Sequence, residues 1–293
     1  MLYDRSSVFF HHMKHQLLTI LLWYTVMNSP VGAMTDSTDI KPYRLGLVAG
    51  ATAGAFIVGH GILNDLWWKG ERVPFHINTD TDYRYALNAD KLGHATFAYM
   101  AATTYADLWR WCGMDSSTAL WSGFGVAMAY QTYIEVRDGF SRNYGFSWGD
   151  IAGNTIGAAL PVVKHHVPAL RALDLQVSFW PSQAFRDGAY NAIIDDYTST
   201  THWLAMNVHD VAPRGWQRWI PPWLGLAVGH SVRNINGNGS GERVLVLSLD
   251  WQLHRIPGLP DWLRDVARVL HCYHLPAPAV QVLPTVVWYG LRF

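Results

Sequence analysis

The sequence predicts an α+β protein: an N-terminal Gly/Ala-rich four-helix bundle followed by an antiparallel β-sheet of about five strands with one short helix. Two observations lead there. Up to about residue 168 the chain consists of long apolar stretches bounded by helix start and stop signals. After residue 170 apolar and polar residues alternate with period two, the signature of half-buried strands.

Composition narrows the setting. Half of the 293 residues are hydrophobic and 15% are charged, against roughly a quarter charged in an ordinary soluble domain. With 15 Trp and 14 Tyr, this balance favours a membrane or envelope protein, because both residues prefer membrane–water boundaries. The formal net charge is zero and no basic patch is interleaved with aromatics, so nothing points to nucleic acid.

Residues 1–33 read as a signal peptide. Lys14 precedes an apolar run over 16–27, Asn28-Ser29-Pro30 breaks it, and Val31-Gly32-Ala33 supplies small residues for cleavage before Met34. Met13 followed by Lys14 is itself a well-formed signal start, which would dispose of His11, His12 and His15 as ligands. An uncleaved anchor is the alternative, although the run is short for a span. Export exposes Cys112 and Cys272 to an oxidising compartment, where they either pair or stay as two separate buried thiols.

The bundle is expected over 34–168. Its first helix runs from 43 to 68, with Gly46, Gly50 and Gly54 at one-turn spacing as a face for close helix approach or as part of a bilayer span. The second helix is read over 90–111, the third from an Asp115 or Ser116 cap to Asp138, and the fourth from Ser147 to His166, bent at Pro161. The β region is expected over 169–293, with strands at 173–180, 202–208, 223–233, 243–254 and 282–293 and a helix at 261–270. The last strand ends on Phe293 and resembles the terminal strand of bacterial outer-membrane barrels. Five strands are too few for a closed single-chain barrel, so a sheet packed on the helices is expected.

Three polar clusters interrupt the apolar helices: Asp90-Lys91-Leu92-Gly93-His94, Glu135-Val136-Arg137-Asp138, and Ser147-Trp148-Gly149-Asp150 with Asn154. Charges in such surroundings are costly unless paired or used. Short connections make successive helices antiparallel, which brings the start of the second helix, the end of the third and the start of the fourth to one end. The spacings place Asp90 with His94, Glu135 with Asp138, and Asp150 with Asn154 on shared faces. His94, Asp90, Glu135 and Asp150 are therefore the candidate catalytic residues. Lys91, Asp138, Asn154 and Ser147 are candidate ligand contacts, joined by Arg72 and Arg84 from the 69–88 connection above them. His94 suits acid–base work because an imidazole titrates near neutrality. The carboxylates with His94 and Asn154 would also accept a hard divalent metal, which the chemistry allows without requiring. A bland explanation stands beside this: Ser147-x-x-Asp150 is a capping-box pattern, and the clusters would also serve as a buried packing network. Gly149, Gly153 and Gly157 read as a packing face.

The strings Asp-Lys-x-Gly-His, Glu-x-x-Asp-Gly-Phe-Ser and Gly-Phe-Ser-Trp-Gly-Asp-Ile-x-x-Asn-Thr-x-Gly-Ala, over about residues 88–160, resemble the YfiM-like family of predicted periplasmic lipoproteins and, more distantly, the VanZ-like membrane family. Asp195-Asp196-Tyr197, Thr201-His202-Trp203-Leu204 and Pro276-Ala277-Pro278 resemble longer members. The resemblance implies an exported protein of the periplasm or outer membrane, with an inner-membrane site as the alternative, and carries no reaction with it. The chain lacks the lipid-bearing cysteine of that pattern. Together these readings lead to a polar pocket that binds or acts on a membrane or lipid-linked, anionic envelope ligand; if it is an enzyme, a hydrolase or group transferase fits. A non-catalytic envelope protein is the competing class.

Overall fold

The computed structural model describes residues 39–293 except 191 and 237; the signal-peptide reading over 1–33 lies outside them. Four long helices come first: α1 (Pro42–Leu66), α2 (Ala89–Trp111), α3 (Ser116–Asp138) and α4 (Trp148–His166). Each end has a physical cause. Asp115 caps α3 by accepting the Thr118 N–H at 3.0 Å, and Ser147 caps α4 by accepting that of Asp150 at 2.9 Å. Pro42 opens α1, where its missing N–H costs nothing.

Helices α2, α3 and α4 pack around an alanine core of Ala98, Ala102, Ala127 and Ala158. The glycines of α4 set the spacing. A Cβ on Gly157 would overlap the Ala95 carbonyl, and one on Gly153 would sit 2.7 Å from the Lys91 carbonyl oxygen. The main chains of α2 and α4 therefore lie close together, as the packing-face reading of these glycines expects.

The expected four-helix bundle needs correction at α1. Its Gly46, Gly50 and Gly54 face nothing within 4 Å among the described residues, and only Val48 and Leu63 are buried along its length. It leans on α3 through Phe56 against Tyr130 and Tyr133, and through a Tyr133–His60 hydrogen bond of 2.5 Å. Ile57, Val58 and Ile62 are exposed. This helix is long and apolar enough to cross a membrane.

Beyond His166 the described residues form one antiparallel meander of six strands in chain order: β1 (Leu173–Phe179), β2 (Thr200–Asn207), β3 (Leu224–Arg233), β4 (Glu242–Trp251), β5 (Ala277–Leu283) and β6 (Val287–Arg292). Helix α5 (Asp261–Leu270) joins β4 to β5. The single strand expected over 282–293 is instead the end of β5, a turn at Pro284, and β6; the proline breaks the ladder there. The sheet curls. Cys272 and His274 pair with Val177 on the free edge of β1, and Phe293 rests on Trp180 with ring centroids 4.5 Å apart. Cys112 and Cys272 are both free thiols.

The polarity of the sheet is inverted. Register aligns Leu175, Leu204, Val228, Leu247, Val280 and Trp288 across one face. Leu204, Val228 and Leu247 are 46–49% exposed and Trp288 is 81% exposed. The other face turns inward and carries Gln176, Ser248, Asp250 and Gln281 among small apolar residues. Buried His274 stacks there on Trp203 at 3.9 Å and takes part in hydrogen bonds with Gln176 and Ser248.

Candidate functional site

Lys91 organises the end of the bundle. Its ammonium lies 2.8 Å from Asp150 Oδ1, 2.9 Å from Asp90 Oδ2 and 3.0 Å from Asp82 Oδ1. The chain reaches this arrangement through a left-handed turn at Ala86, Leu87 and Asn88 (φ 48°, 53° and 71°) that launches α2. Three such non-glycine residues in succession are uncommon and hold their shape only when their surroundings demand it. Here Ala86 is tied by its N–H to the Gly239 carbonyl, and Ala86 and Ala89 pack on Val232.

His94, one turn further along α2, sits between two sets of groups. Its Nδ1 is 3.2 Å from Asn154 Oδ1 and 3.8 Å from Glu135 Oε1. Its Nε2 is 3.7 Å from Asp150 Oδ1 and 3.8 Å from Asp90 Oδ1. One ligand atom each from Asp90, His94 and Asp150 lies within 4.8 Å of the others, so these three could hold a metal ion. Asp138, behind them on α3, accepts a 2.6 Å hydrogen bond from Trp68 Nε1.

The electrostatics divide the carboxylates into two kinds. Burial first, then the charges of Asp150 and Asp138, push Glu135 up to about 9, so it is neutral at pH 7. Burial likewise lifts Asp138 to about 6, and burial with the Asp90 charge raises Asp150. Burial alone would raise Asp90 as well, but the His94 ring, the Lys91 ammonium and a 2.8 Å hydrogen bond from Tyr197 outweigh it and hold it low. Asp82 is also held low, its burial outweighed by the Ser147 hydroxyl at 2.5 Å, by Lys91 and by the Gly149 N–H. Lys91 itself is raised above the ordinary lysine range, since its carboxylate neighbours overcome the cost of burial.

The capping-box explanation of Asp150 is only half present. Ser147 Oγ does cap α4, but the Ser147 N–H goes to Glu135 Oε2 at 3.2 Å rather than to Asp150. The Asp150 carboxylate is left to face Lys91 and His94. Arg72 and Arg84 make their contacts elsewhere: Arg72 lies over the Phe140 ring at 4.9 Å and Arg84 donates to the Asp80 carbonyl. The 69–88 connection is stitched to the 139–146 loop by main-chain bonds such as Val73 to Phe140 and Asn78 to Phe146.

Three residues join the site beyond those selected from the sequence. Asp82 arrives from the connection, Tyr197 from the segment before β2, and His202 from β2 beside Gly93. Asp82 had a sequence signal as an acidic residue in a loop above the clusters. Tyr197 and His202 are more than 100 positions from the Asp-Lys-x-Gly-His string, so no local spacing relates them to it. Burial and the neighbouring His230 hold His202 down at about 4, so it is neutral in the structure at physiological pH.

No curated protein and no solved structure matched the chain. Residues 80–166, which supply most of this site, match the model of a family described as predicted periplasmic lipoprotein (DUF2279), a match consistent with an exported protein of the periplasm or outer membrane.

Proposed function

We propose that the bundle end is a cation-assisted site for an anionic, lipid-linked ligand of the envelope, with hydrolysis or group transfer as its chemistry. The observation that carries this reading is the setting of His94, with Asp90 and Asp150 on one nitrogen and Glu135 and Asn154 on the other. Asp82, Asp90 and Asp150 bring three carboxylates to the single Lys91 ammonium, an oxygen-rich arrangement of the kind a hard divalent cation takes. A bound cation would supply Lewis-acid polarisation of a phosphate. His94 would move the proton and Glu135 would act as a neutral hydrogen-bond donor. Lys91 is spent on three carboxylates and serves to position them.

Membrane association belongs to the same proposal. Its support is the exposed apolar length of α1 and the aliphatic outer face of the sheet. Separating inner from outer membranes would assign the compartment and the pool of substrates.

Isothermal titration of the purified chain with Mn²⁺ tests the cation. Saturable binding is expected, lost in Asp90→Asn and in Asp150→Asn. Turnover of a lipid diphosphate in neutral micelles tests the chemistry: His94→Ala should abolish it while leaving the thermal midpoint nearly unchanged. Full activity in His94→Ala would sink the catalytic assignment.

One observation favours a second reading, a buried network that only fixes the packing. Ser147, Asp82, Lys91 and Glu135 tie the connection, α2, α3 and α4 together through bonds that need no ligand. On that reading His94→Ala and Asp150→Ala both unfold or deplete the protein.

A further inference from the structure

A cavity of about 520 Å³ lies at the opposite ends of α2 and α4, where they meet the sheet. It is lined from both halves of the chain, by Tyr99, Arg110 and Trp111 of α2, Lys164 of α4, Asp174 of β1, and His254 and His271 beyond β4. Its size falls in the usual range of roughly 300–1,000 Å³ for small-molecule sites.

One wall is a built polar cluster. Asp174 accepts from Lys164 Nζ at 2.5 Å, from Tyr99 OH at 2.6 Å and from His271 Nε2 at 3.1 Å. Gln176 Nε2 lies 3.2 Å from His271 Nδ1, which fixes the ring with its proton toward Asp174. This carboxylate is therefore saturated by its own neighbours.

Other polar atoms of the lining are not satisfied. Arg110 pairs through Nη1 with Asp107 of the same lining at 2.7 Å, but its Nε, like Trp111 Nε1 and His254 Nδ1, is buried without a hydrogen-bond partner among the described residues. The first two can only donate, and leaving such groups unmatched is costly. Arg171, also in the lining, has no carboxylate partner among the described residues; it donates to the Lys164 and His165 carbonyls. Unmatched donors and a surplus cation call for an acceptor-rich anion. Met100, Leu108, Leu175 and Val269 give the remaining wall an apolar character. The rim continues into the 208–223 loop, because lining residue Arg255 holds Asp210 bidentately at 2.6 and 2.7 Å. In that loop Trp216 and Trp219 are exposed beside Arg214 and Arg218, a composition suited to a membrane boundary.

We propose that this cavity is a second ligand site, distinct from the Lys91 cluster, which takes an amphiphile with an anionic head and a short apolar tail. The head sits against Arg110, Trp111 and Arg171, and the tail against the aliphatic wall.

Isothermal titration of the full chain with octyl phosphate, inorganic phosphate and octanol tests it. Octyl phosphate should bind saturably and at least tenfold more tightly than either fragment. Arg110→Gln should weaken it tenfold or more with an unchanged circular dichroism spectrum, and Arg110→Lys should weaken it less. Titration with EDTA present deprives the bundle end of its cation and so separates this cavity from the site at the other end. Inorganic phosphate binding as tightly as octyl phosphate would overturn the amphiphile and identify a free oxyanion as the ligand. Absence of saturable binding, or binding indifferent to Arg110→Gln, would overturn the site.

Discussion

The two ends of α2 and α4 each bury a lysine against carboxylate, and they come out with opposite electrostatics. At the N-terminal end three aspartates share Lys91, and neutral Glu135 stands behind them. At the C-terminal end one aspartate, Asp174, collects Lys164, Tyr99 and His271. Burial acts alike on both, yet Glu135 is pushed up to about 9 while Asp174 is held well below the usual carboxylate range. The ratio of donors to carboxylates decides the sign. Excess carboxylate retains protons and attracts cations; excess donors keep the carboxylate ionised and leave the neighbouring cations for an anion.

The largest expected effect comes from Lys91→Met, which strands three buried carboxylates. It should cost about 3–5 kcal/mol in urea denaturation, with partial recovery when Asp150→Asn is added. A small loss would mean that water already solvates the cluster. Asp174→Asn should cost about 2–3 kcal/mol by leaving the half-buried Lys164 ammonium without its counter-charge. The Asp174 shift is downward, so its contribution is present above the ordinary aspartate pKa and fades as pH falls through its depressed value; the variant should flatten the acid limb of the stability curve.

Glu135→Gln is expected to act in the opposite direction. The folded protein holds a proton on Glu135 that the unfolded chain gives up above about pH 4.5. Stability from this group is complete below that pH and declines as pH rises toward about 9. Gln cannot ionise and can still accept the Ser147 N–H. The variant should therefore be more stable by about 1–3 kcal/mol at pH 7–8, with a shallower slope between pH 5 and 9. An unchanged slope would show that Glu135 is ionised, and the contrast between the ends would collapse. The smallest effect is predicted for Arg171→Gln, an exposed side chain on two carbonyls, at about 0.5 kcal/mol or less in thermal unfolding. A larger cost would make Arg171 structural and remove it from the surplus of cations.

Much of the bundle end was legible beforehand, because helix periodicity and short connections are local properties. Asp90 with His94 and Asp150 with Asn154 follow from four-residue spacing, and their meeting follows from antiparallel helices. The C-terminal cluster was not legible. Tyr99, Lys164, Asp174 and His271 come from four separate elements, and no spacing relates His271 to Tyr99. The small-residue stripe of α1 was visible as a stripe, but whether a helix would cover it was not.

The sequence by itself determined the class of fold, the ends of the long helices, the change of period near residue 170 and the end of the bundle where the polar clusters gather. Each rests on propensity, capping or periodicity within a few residues. Only the tertiary structure decided that β4 turns Ser248 and Asp250 inward and Leu247 outward. Alternation separates two faces without saying which is the core; that depends on what the other strands bring to the same side. The exposure of α1, the Lys91 triad of aspartates and the cavity at the far end have the same origin, since each depends on contacts between segments far apart in the chain.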